Sequence, residues 1–76
     1  MLGSPEISIV IPVYNEEESL PQLFKELYPV MENLQRSFEI IFINDGSRDK
    51  SFAMLYDFQK EHEKTVRVID LNGNFG

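Results

Sequence analysis

Two short apolar runs, each followed by a polar turn and an amphipathic stretch, constrain this chain more than any other feature. Residues 7–13 read Ile-Ser-Ile-Val-Ile-Pro-Val and residues 38–43 read Phe-Glu-Ile-Ile-Phe-Ile. Such runs are typical of strands that are buried on both faces of a parallel sheet. A third run, residues 65–71, contains Arg67 and Asp70 and therefore predicts a less buried strand.

The stretch between the first two runs predicts a helix. Ser19 is suited to the N-cap position, and Pro21 suits the first turn because its missing N–H costs little there. Pro29 falls inside the pattern and is expected to kink the helix or to end its first segment near Tyr28. Apolar residues recur at the i, i+3, i+4 and i+7 spacing of a helix face. They are Leu20, Leu23, Phe24, Leu27, Val30, Met31 and Leu34.

A second helix is predicted after the second run. Ser47 or Asp49 is expected to cap it, and it is expected to end near residue 63, where charged residues form a solvated tail. The residues expected on its buried side are Phe52, Leu55, Tyr56 and Gln59, flanked by Met54 and Phe58.

The predicted fold class is α/β, with a β-α-β-α-β order and a three-stranded parallel sheet. Connections between parallel strands are almost always right-handed. Two such connections in the same direction give the spatial order 3-2-1 and leave strand 1 at an edge. An apolar strand at an open edge pairs readily with another chain. Either a missing portion of the protein covers this edge, or another chain does, and we expect self-association through the exposed edge of strand 1.

Charge and composition exclude several classes of protein. The 76 residues are enough for one domain or part of one, and their 42% hydrophobic content is that of a globular protein. A net charge of -6 argues against a nucleic-acid partner, because no basic surface can release counterions from phosphates. The chain has no cysteine, and the single His62 cannot make a zinc site without other nitrogen or sulfur ligands.

The two ends of the chain bear on location and completeness. No stretch approaches the ~20 apolar residues of a membrane span. The start lacks the basic and apolar regions of a signal peptide, so a cytoplasmic location is expected. Residues 72–76, Asn-Gly-Asn-Phe-Gly, follow a strand at once, which we interpret as a truncation inside a loop.

Both polar turns are expected at the carboxyl edge of the sheet, where open α/β sheets bind ligands. In the first turn, Tyr14 is suited to stack on a base, and Asn15 or Glu16 is suited to accept a hydrogen bond from a base or ribose. The alternative is that Tyr14 packs on a helix and the glutamates satisfy the helix dipole.

In the second turn, Asp45 is placed to bind a ribose hydroxyl or a base N–H, and Gly46 permits a positive φ. The alternative there is an Asx-type turn before a capped helix.

Other sequence signals of nucleotide chemistry are absent. The chain has no Gly-x-Gly-x-x-Gly fingerprint, no P-loop and no Asp-x-Asp pair, and nothing in it resembles a nucleophile–base pair. Arg48 and Lys50 are suited to reach a phosphate, but in a chain of charge -6 we expect them to be solvated or paired with Asp49.

Two segments together resemble the opening of family 2 glycosyltransferases. They are residues 9–20, Ile-Val-Ile-Pro-Val-Tyr-Asn-Glu-Glu-Glu-Ser-Leu, and residues 42–51, Phe-Ile-Asn-Asp-Gly-Ser-Arg-Asp-Lys-Ser. Members of this family are inverting enzymes of GT-A fold that use nucleotide-diphosphate sugars. Residues 71–76 resemble the next segment of the branch that glycosylates polyprenyl phosphates such as dolichol and undecaprenyl phosphate. The resemblance covers residues 7–76.

The resemblance implies roles for four residues and for a metal. Pro12, Tyr14 and Glu16 would line the pocket for the nucleotide base and ribose, and Asp45 would hold the base or ribose. A divalent metal, Mg²⁺ or Mn²⁺, is expected for the parent enzyme. Its Asp-x-Asp ligands and the general base lie further along in the family, so this chain is expected to hold no metal ligand.

Two positions depart from the family pattern. Asn44 stands where the family often has the first of two acidic residues. If that carboxylate reads the base, base recognition is altered or shared with Asp45. Gly73 occupies the region where the third segment usually carries an arginine, which puts a diphosphate contact from that loop in doubt.

We therefore interpret residues 1–76 as the N-terminal, nucleotide-binding part of a glycosyltransferase domain, the Rossmann-like half of a GT-A fold. The parent is expected to be a hexosyltransferase of cell-envelope glycan synthesis. It would use a nucleotide-diphosphate sugar and act on a polyprenyl phosphate at the cytoplasmic face of a membrane. The chain alone is expected to be inactive.

Two alternatives remain: a stand-alone nucleotide-binding module, and a receiver-type signalling domain in which Asp45 with Glu16 or Glu17 forms a magnesium and phospho-acceptor pocket.

Overall fold

The computed structural model describes residues 4–71, in which strands and helices alternate along the chain. The strands are β1 (Ile7–Val13), β2 (Phe38–Asn44) and β3 (Val66–Asp70), and the helices are α1 (Leu20–Asn33) and α2 (Ser51–Glu61). This confirms the predicted β-α-β-α-β order. The final segment, residues 72–76, lies outside the described residues.

The three strands form one parallel sheet in the order β1-β2-β3, which is the predicted order read from the opposite edge. Val13 at the end of β1 pairs with Asn44 at the end of β2, and Asn44 pairs with Asp70 at the end of β3. The carboxyl ends of all three strands therefore lie at the same level. As predicted, β1 is an edge of this sheet.

One face of the sheet packs against both helices. Ile40 and Phe42 of the central strand are fully buried there. Phe24 of α1 stacks on Phe58 of α2 with ring centroids 4.1 Å apart, and its ring lies 6.2 Å from that of Phe42. The buried core consists of Val13, Leu20, Phe24, Met31, Ile40, Phe42, Leu55 and Val66. Since it combines both helices with alternate strand residues, it fixes which side chains of each strand face inward.

No helix of the described part of the chain covers the opposite face. Val10 is 56% exposed and Ile69 is 47% exposed on that side. A polar row lies toward the amino end of the strands, where the Ser8 hydroxyl donates to Glu39 at 2.6 Å and Arg67 pairs with Glu39 at 3.2 Å. We call this surface the open face; it consists of Ser8, Val10, Pro12, Glu39, Ile41, Ile43, Arg67 and Ile69.

Pro12 is the penultimate residue of β1 and costs the sheet no hydrogen bond. The Ile7 N–H donates to the Ser37 carbonyl oxygen, and the Val13 carbonyl oxygen accepts from the Asp45 N–H. The odd-numbered residues of β1 therefore direct their backbone groups toward β2, because backbone groups alternate in direction along a strand. Pro12 faces away from β2, so its missing N–H takes no hydrogen bond from the pairing of β1 with β2.

Of the two outcomes predicted at Pro29, a kink or an end of helix α1, the end is wrong. The helix does not end near Tyr28 but continues to Asn33. Pro29 is exposed, so the carbonyl that loses its partner is on the side where water can replace it. Ser19 occupies the N-cap position as predicted, yet its side chain makes no capping hydrogen bond.

The buried side of α2 is also rotated from the prediction. Leu55 and Ser51 are buried, and Phe58 packs against the core, whereas Tyr56 is 50% exposed and contacts Phe52. The helix begins at Ser51, and Asp49 caps this end as predicted, because its Oδ1 accepts from the Ser51 N–H at 2.9 Å.

Candidate functional site

Two loops meet at the carboxyl edge of the sheet, the β1–α1 loop (residues 14–19) and the β2–α2 loop (residues 45–50). The pairing of Val13 with Asn44 brings their first residues together, and the Asp45 N–H donates to the Val13 carbonyl oxygen at 2.9 Å. Ligands bind at this edge in open α/β sheets. The four residues predicted to bind a nucleotide all lie here: Pro12, Tyr14, Glu16 and Asp45.

Asn15 links the two loops through both its backbone N–H and its side chain. Its backbone N–H donates to Ser47 Oγ at 2.9 Å, and its side-chain Oδ1 accepts from the Arg48 N–H at 2.8 Å. Asn15 has a φ of 51°, in the left-handed region that asparagine tolerates better than most residues. Gly46, with a φ of 81°, makes the corresponding turn in the second loop, where a Cβ would be strained.

A second set of hydrogen bonds joins the start of α2 to the first loop. The buried Ser51 hydroxyl accepts from the Glu16 N–H at 2.7 Å, and the Lys50 N–H donates to Glu17 Oε1 at 2.8 Å. The Asp49 carboxylate accepts from the Glu17 N–H at 3.2 Å and from the Ser51 N–H at 2.9 Å. We call these interactions, made by the side chains of Asn15, Glu17, Ser47, Asp49 and Ser51, the loop clasp.

The clasp holds the Asp49 carboxyl group in its ionised form. Desolvation raises its pKa, but hydrogen bonds from the Ser51 side chain and backbone and from the Glu17 backbone lower it, and the net pKa lies below its ordinary value of 3.8. Hydrogen bonds donated to a carboxylate stabilise the charged form. Asp49 therefore works as a structural acceptor for two backbone N–H groups.

The clasp engages polar neighbours of the predicted site and leaves all four residues of that site exposed. Tyr14 is 57% exposed and so does not pack into the core of the domain. Asp45 is also exposed, and within residues 4–71 nothing hydrogen-bonds to its carboxylate. Pro12 is exposed as well. Glu16 supports its own loop, because its Oε1 accepts from the Ser19 hydroxyl at 3.0 Å.

Asn44 points away from these exposed groups. It is 3% exposed and lies on the helix-covered side of β2, in the same alternation as Phe42. Its Nδ2 donates to Asp70 Oδ1 at 3.2 Å, while its own Oδ1 has no partner in the described part of the chain. An acidic residue at this position would place a second carboxylate against that of Asp70. Asn44 therefore lies beneath the edge, and the exposed carboxylate at this corner is that of Asp45.

A cleft of about 470 Å³ lies beside the first loop and is acidic. Its lining residues are Asn15, Glu16, Glu17, Glu18, Ser19 and Asp49. Carboxylates at four of these positions would repel a diphosphate group. Among residues 4–71, no group of three or more His, Cys, Asp or Glu side chains is arranged to hold a metal ion, so the described residues do not fit the metal site expected for the parent enzyme.

The remaining candidate residues, Arg48, Lys50 and His62, make contacts that support the fold. Arg48 and Lys50 contribute backbone N–H groups to the contacts between the loops, while their side chains are exposed. His62 follows α2 at its C-cap position, and its half-buried ring lies 4.2 Å from that of Tyr28 and 5.3 Å from that of Phe24. His62 is therefore a half-buried neighbour of the aromatic core.

Residues 8–76 match the sequence profile of Glycosyl transferase family 2. The chain belongs to this family. Its three parallel strands are the start of the Rossmann-like GT-A domain that was expected. This assignment decides in favour of the transferase interpretation over the receiver-type alternative.

Curated relatives agree with the family assignment. An uncharacterized glycosyltransferase of Synechocystis is 44% identical over 71 residues, which are 93% of this chain and 22% of the relative. Two undecaprenyl-phosphate 4-deoxy-4-formamido-L-arabinose transferases are also similar. That of Pseudomonas fluorescens SBW25 is 46% identical over 92% of this chain and 20% of its own length, and that of Enterobacter is 42% identical over 93% and 22%. This chain spans about a fifth of the length of these relatives.

Neither helix between residues 4 and 71 is long and apolar enough to cross a membrane.

Replacing Ser51 with alanine tests the buried part of the clasp. Ser51→Ala leaves the Glu16 N–H without its acceptor, so we expect the free energy of unfolding to fall by about 1–3 kcal/mol, measured by urea denaturation. Ser19→Ala is the matched control, because that exposed hydroxyl makes no capping bond, and it should change the free energy by less than ~0.5 kcal/mol. Equal effects of the two variants would contradict a specific role for Ser51.

The lowered pKa of Asp49 predicts a dependence of stability on pH. Because the folded-state pKa lies below the unfolded value, the contribution of Asp49 is present above the unfolded value of 3.8 and is lost as the pH falls through the folded pKa. The difference in melting temperature between the native chain and Asp49→Asn should be largest near neutral pH and shrink below pH ~4. The same comparison for Asp57→Asn, an exposed acid on α2, should show no such convergence. A gap for Asp49→Asn that stays constant down to the lowest pH would refute the assignment.

Proposed function

We propose that this chain forms the nucleotide-recognition part of the donor site in a family 2 glycosyltransferase. The observation that carries the proposal is that the clasp fixes both loops at the carboxyl edge while Tyr14 and Asp45 remain exposed. A tyrosine ring on a fixed loop offers a flat apolar surface on which a base can stack. The Asp45 carboxylate is a free acceptor for a base N–H or a ribose hydroxyl.

Pro12 and Glu16 complete the proposed pocket. Pro12 is exposed two residues before Tyr14, and its ring presents no N–H that a base would leave unpaired. One carboxylate oxygen of Glu16 accepts from Ser19, which orients the group, and the other oxygen is assigned to the ribose. The pocket therefore recognises the nucleoside through groups held by β1 and by the clasp.

The diphosphate of the donor needs positive charge that this edge does not supply. The cleft beside the first loop is lined by Glu16, Glu17, Glu18 and Asp49. We propose that a divalent metal, Mg²⁺ or Mn²⁺, supplies that charge in the complete enzyme, bound by residues outside the described part of the chain. When bound, such an ion polarises the phosphate and stabilises the leaving group. Residues 4–71 contribute nucleoside recognition only.

The acceptor is proposed from the relatives. Several carry the name undecaprenyl-phosphate 4-deoxy-4-formamido-L-arabinose transferase, which supports a polyprenyl phosphate as acceptor for the parent of this chain. A lipid acceptor of that kind places the reaction at a membrane, for which we propose the cytoplasmic face and a role in cell-envelope glycan synthesis. The sugar in these names is an arabinose derivative, a pentose, so the names do not favour the hexose expected from the sequence.

We propose that the 76 residues alone bind nucleotide without transferring sugar. The chain spans only about a fifth of the length of its relatives, and its described residues include no group of three or more His, Cys, Asp or Glu side chains that could hold a metal ion. Sugar transfer by the purified chain, from any nucleotide-diphosphate sugar to a polyprenyl phosphate, would contradict this.

Calorimetric titration with uridine and guanosine diphosphates, with and without Mg²⁺, tests the recognition site. Tyr14→Ala and Asp45→Asn should each raise the Kd about tenfold or more, because each removes a direct contact with the nucleoside. Tyr56→Ala and Asp57→Asn are matched controls, since they alter an exposed tyrosine and an exposed acid on α2, and they should leave the Kd unchanged.

The outcomes separate the alternatives. Weak binding that is lost only in the Tyr14 and Asp45 variants supports the proposal. Tight, metal-independent binding by this short chain would favour a stand-alone nucleotide-binding module. Binding that survives both site variants, or is lost equally in the controls, would show that the nucleotide is recognised elsewhere.

A further inference from the structure

Strand pairing brings the two loops of the proposed nucleotide site together but does not fix the gap between the residues they display. The last pair of β1 with β2 is Val13 with Asn44, and the Asp45 N–H extends the pairing by one backbone hydrogen bond, to the Val13 carbonyl oxygen at 2.9 Å. Tyr14 and Asp45 lie just past the ends of the strands, on different loops. Their spacing therefore depends on contacts between the loops.

Asn15 makes the contacts between the loops that lie nearest to both of these residues. It directly follows Tyr14, and its two partners, Ser47 and Arg48, come shortly after Asp45. The Asn15 N–H donates to Ser47 Oγ at 2.9 Å, and Asn15 Oδ1 accepts from the Arg48 N–H at 2.8 Å. The other contacts of the loop clasp lie further along both loops. Asn15 therefore holds the backbone beside Tyr14 against the backbone that follows Asp45.

The backbone at Asn15 gives a reason for an asparagine at this position. Its φ of 51° is in the left-handed region, which glycine adopts at no steric cost and which Gly46 adopts at 81° in the other loop. A glycine at position 15 would have no side chain to accept from the Arg48 N–H. Asparagine tolerates this region better than most residues and also supplies the acceptor. An unusual φ that is kept together with a specific contact points to a role in the site.

We propose that Asn15 is a positioning residue that sets the gap between Tyr14 and Asp45 and thereby selects the nucleotide by the size of its base. This role rests on the proposed function, in which Tyr14 stacks on the base and Glu16 binds the ribose, so that Asp45 is left to accept from the base. Asn15 itself does not touch the nucleotide. It acts through the two residues that do.

A fixed gap distinguishes pyrimidine from purine bases. Uracil and guanine both carry a ring N–H that a carboxylate can accept, but that of guanine lies further from the ribose because of the additional fused ring. With the gap held by Asn15, one base stacks on Tyr14 and donates to Asp45 at the same time, whereas the other loses one of these contacts. The lost contact lowers its affinity, and specificity is that difference of affinities. If the gap could vary, both bases could make both contacts and selectivity would fall.

Asn15→Gly tests this role because it removes only the side-chain acceptor. Glycine keeps the positive φ and the N–H that donates to Ser47 Oγ. The Arg48 N–H lies at the surface and can bind water instead, so the circular dichroism spectrum should be unchanged. In calorimetric titrations with uridine and guanosine diphosphates, the Kd of the preferred nucleotide should rise about tenfold, and the ratio of the two Kd values should move about threefold or more toward one.

A conservative variant and a matched control separate this role from a general effect on the fold. Asn15→Asp keeps an acceptor for the Arg48 N–H, and the Nδ2 group that it removes binds nothing within residues 4–71. The added charge acts on both diphosphates alike, so the ratio of Kd values should remain that of the native chain. Gln35→Gly makes the same backbone change at a φ of 55°, on an exposed residue at the other end of the sheet, and should alter neither Kd.

Two further measurements keep the role of Asn15 testable if Asn15→Gly does not fold. Ser47→Ala removes the other partner of Asn15 and should move the ratio of Kd values in the same direction. Amide hydrogen exchange at Arg48, measured without nucleotide, should be slow in the native chain and in Asn15→Asp. Fast exchange there in the native chain would show that the contact does not form, which overturns the proposal.

The binding data distinguish failure of this role from failure of the proposed function. A native chain that binds both nucleotides with equal Kd overturns the role of Asn15 alone. So does an Asn15→Gly variant that keeps the native Kd values while Tyr14→Ala loses binding, or a Gln35→Gly variant that changes the ratio as much as Asn15→Gly. A native chain that binds neither nucleotide contradicts the proposed function, and the role of Asn15 with it.

Discussion

The parallel pairing of β1 with β2 is the constraint on which the rest of the structure depends. It sets Val13 opposite Asn44, so the two following loops start side by side, only about 5 Å apart across the strands. At that separation short side chains such as those of Asn15 and Ser51 reach backbone groups of the other loop. A slip of one residue would turn every inward side chain of a strand outward, including Phe42 at the centre of the core. The hydrophobic pattern therefore fixes the register, and the register fixes the site.

The parts of this arrangement that could be predicted are those that depend on local pattern. The bounds of β1 and the sheet order follow from apolar runs at the right spacing and from the handedness of the connections. The end of α1 could not be predicted from Pro29, because the outcome depends on whether the unpaired carbonyl meets solvent or protein. Tyr56 was placed on the buried side of α2, but the helix is oriented by Leu55 and Phe58, and sequence spacing does not define that rotation closely enough.

The loop clasp is harder still to predict from the sequence. Short polar side chains near turns are expected to bind backbone N–H groups, and Asn15 and Ser51 are of that kind. The partner of each is on the other loop, about thirty residues away, and only the folded register identifies it. Asn44 shows the same limit. The sequence marks it as a departure from a family pattern, but only the structure shows that its side chain is buried and donates to Asp70 below the edge. The sequence did predict that Tyr14 and Asp45 lie together at the carboxyl edge of the sheet, where the structure shows both exposed.

The central claim is that a fixed pair of loops displays Tyr14 and Asp45 to a nucleotide. Its most direct test is an NMR titration of the chain with uridine and guanosine diphosphates, following backbone amide resonances. The account predicts that the largest shifts fall at Tyr14 and Asp45, while the amides of Glu16 and Ser51 keep their slow hydrogen exchange because the clasp stays closed. Shifts centred away from the carboxyl edge, or loss of protection at Glu16 and Ser51 on binding, would contradict it.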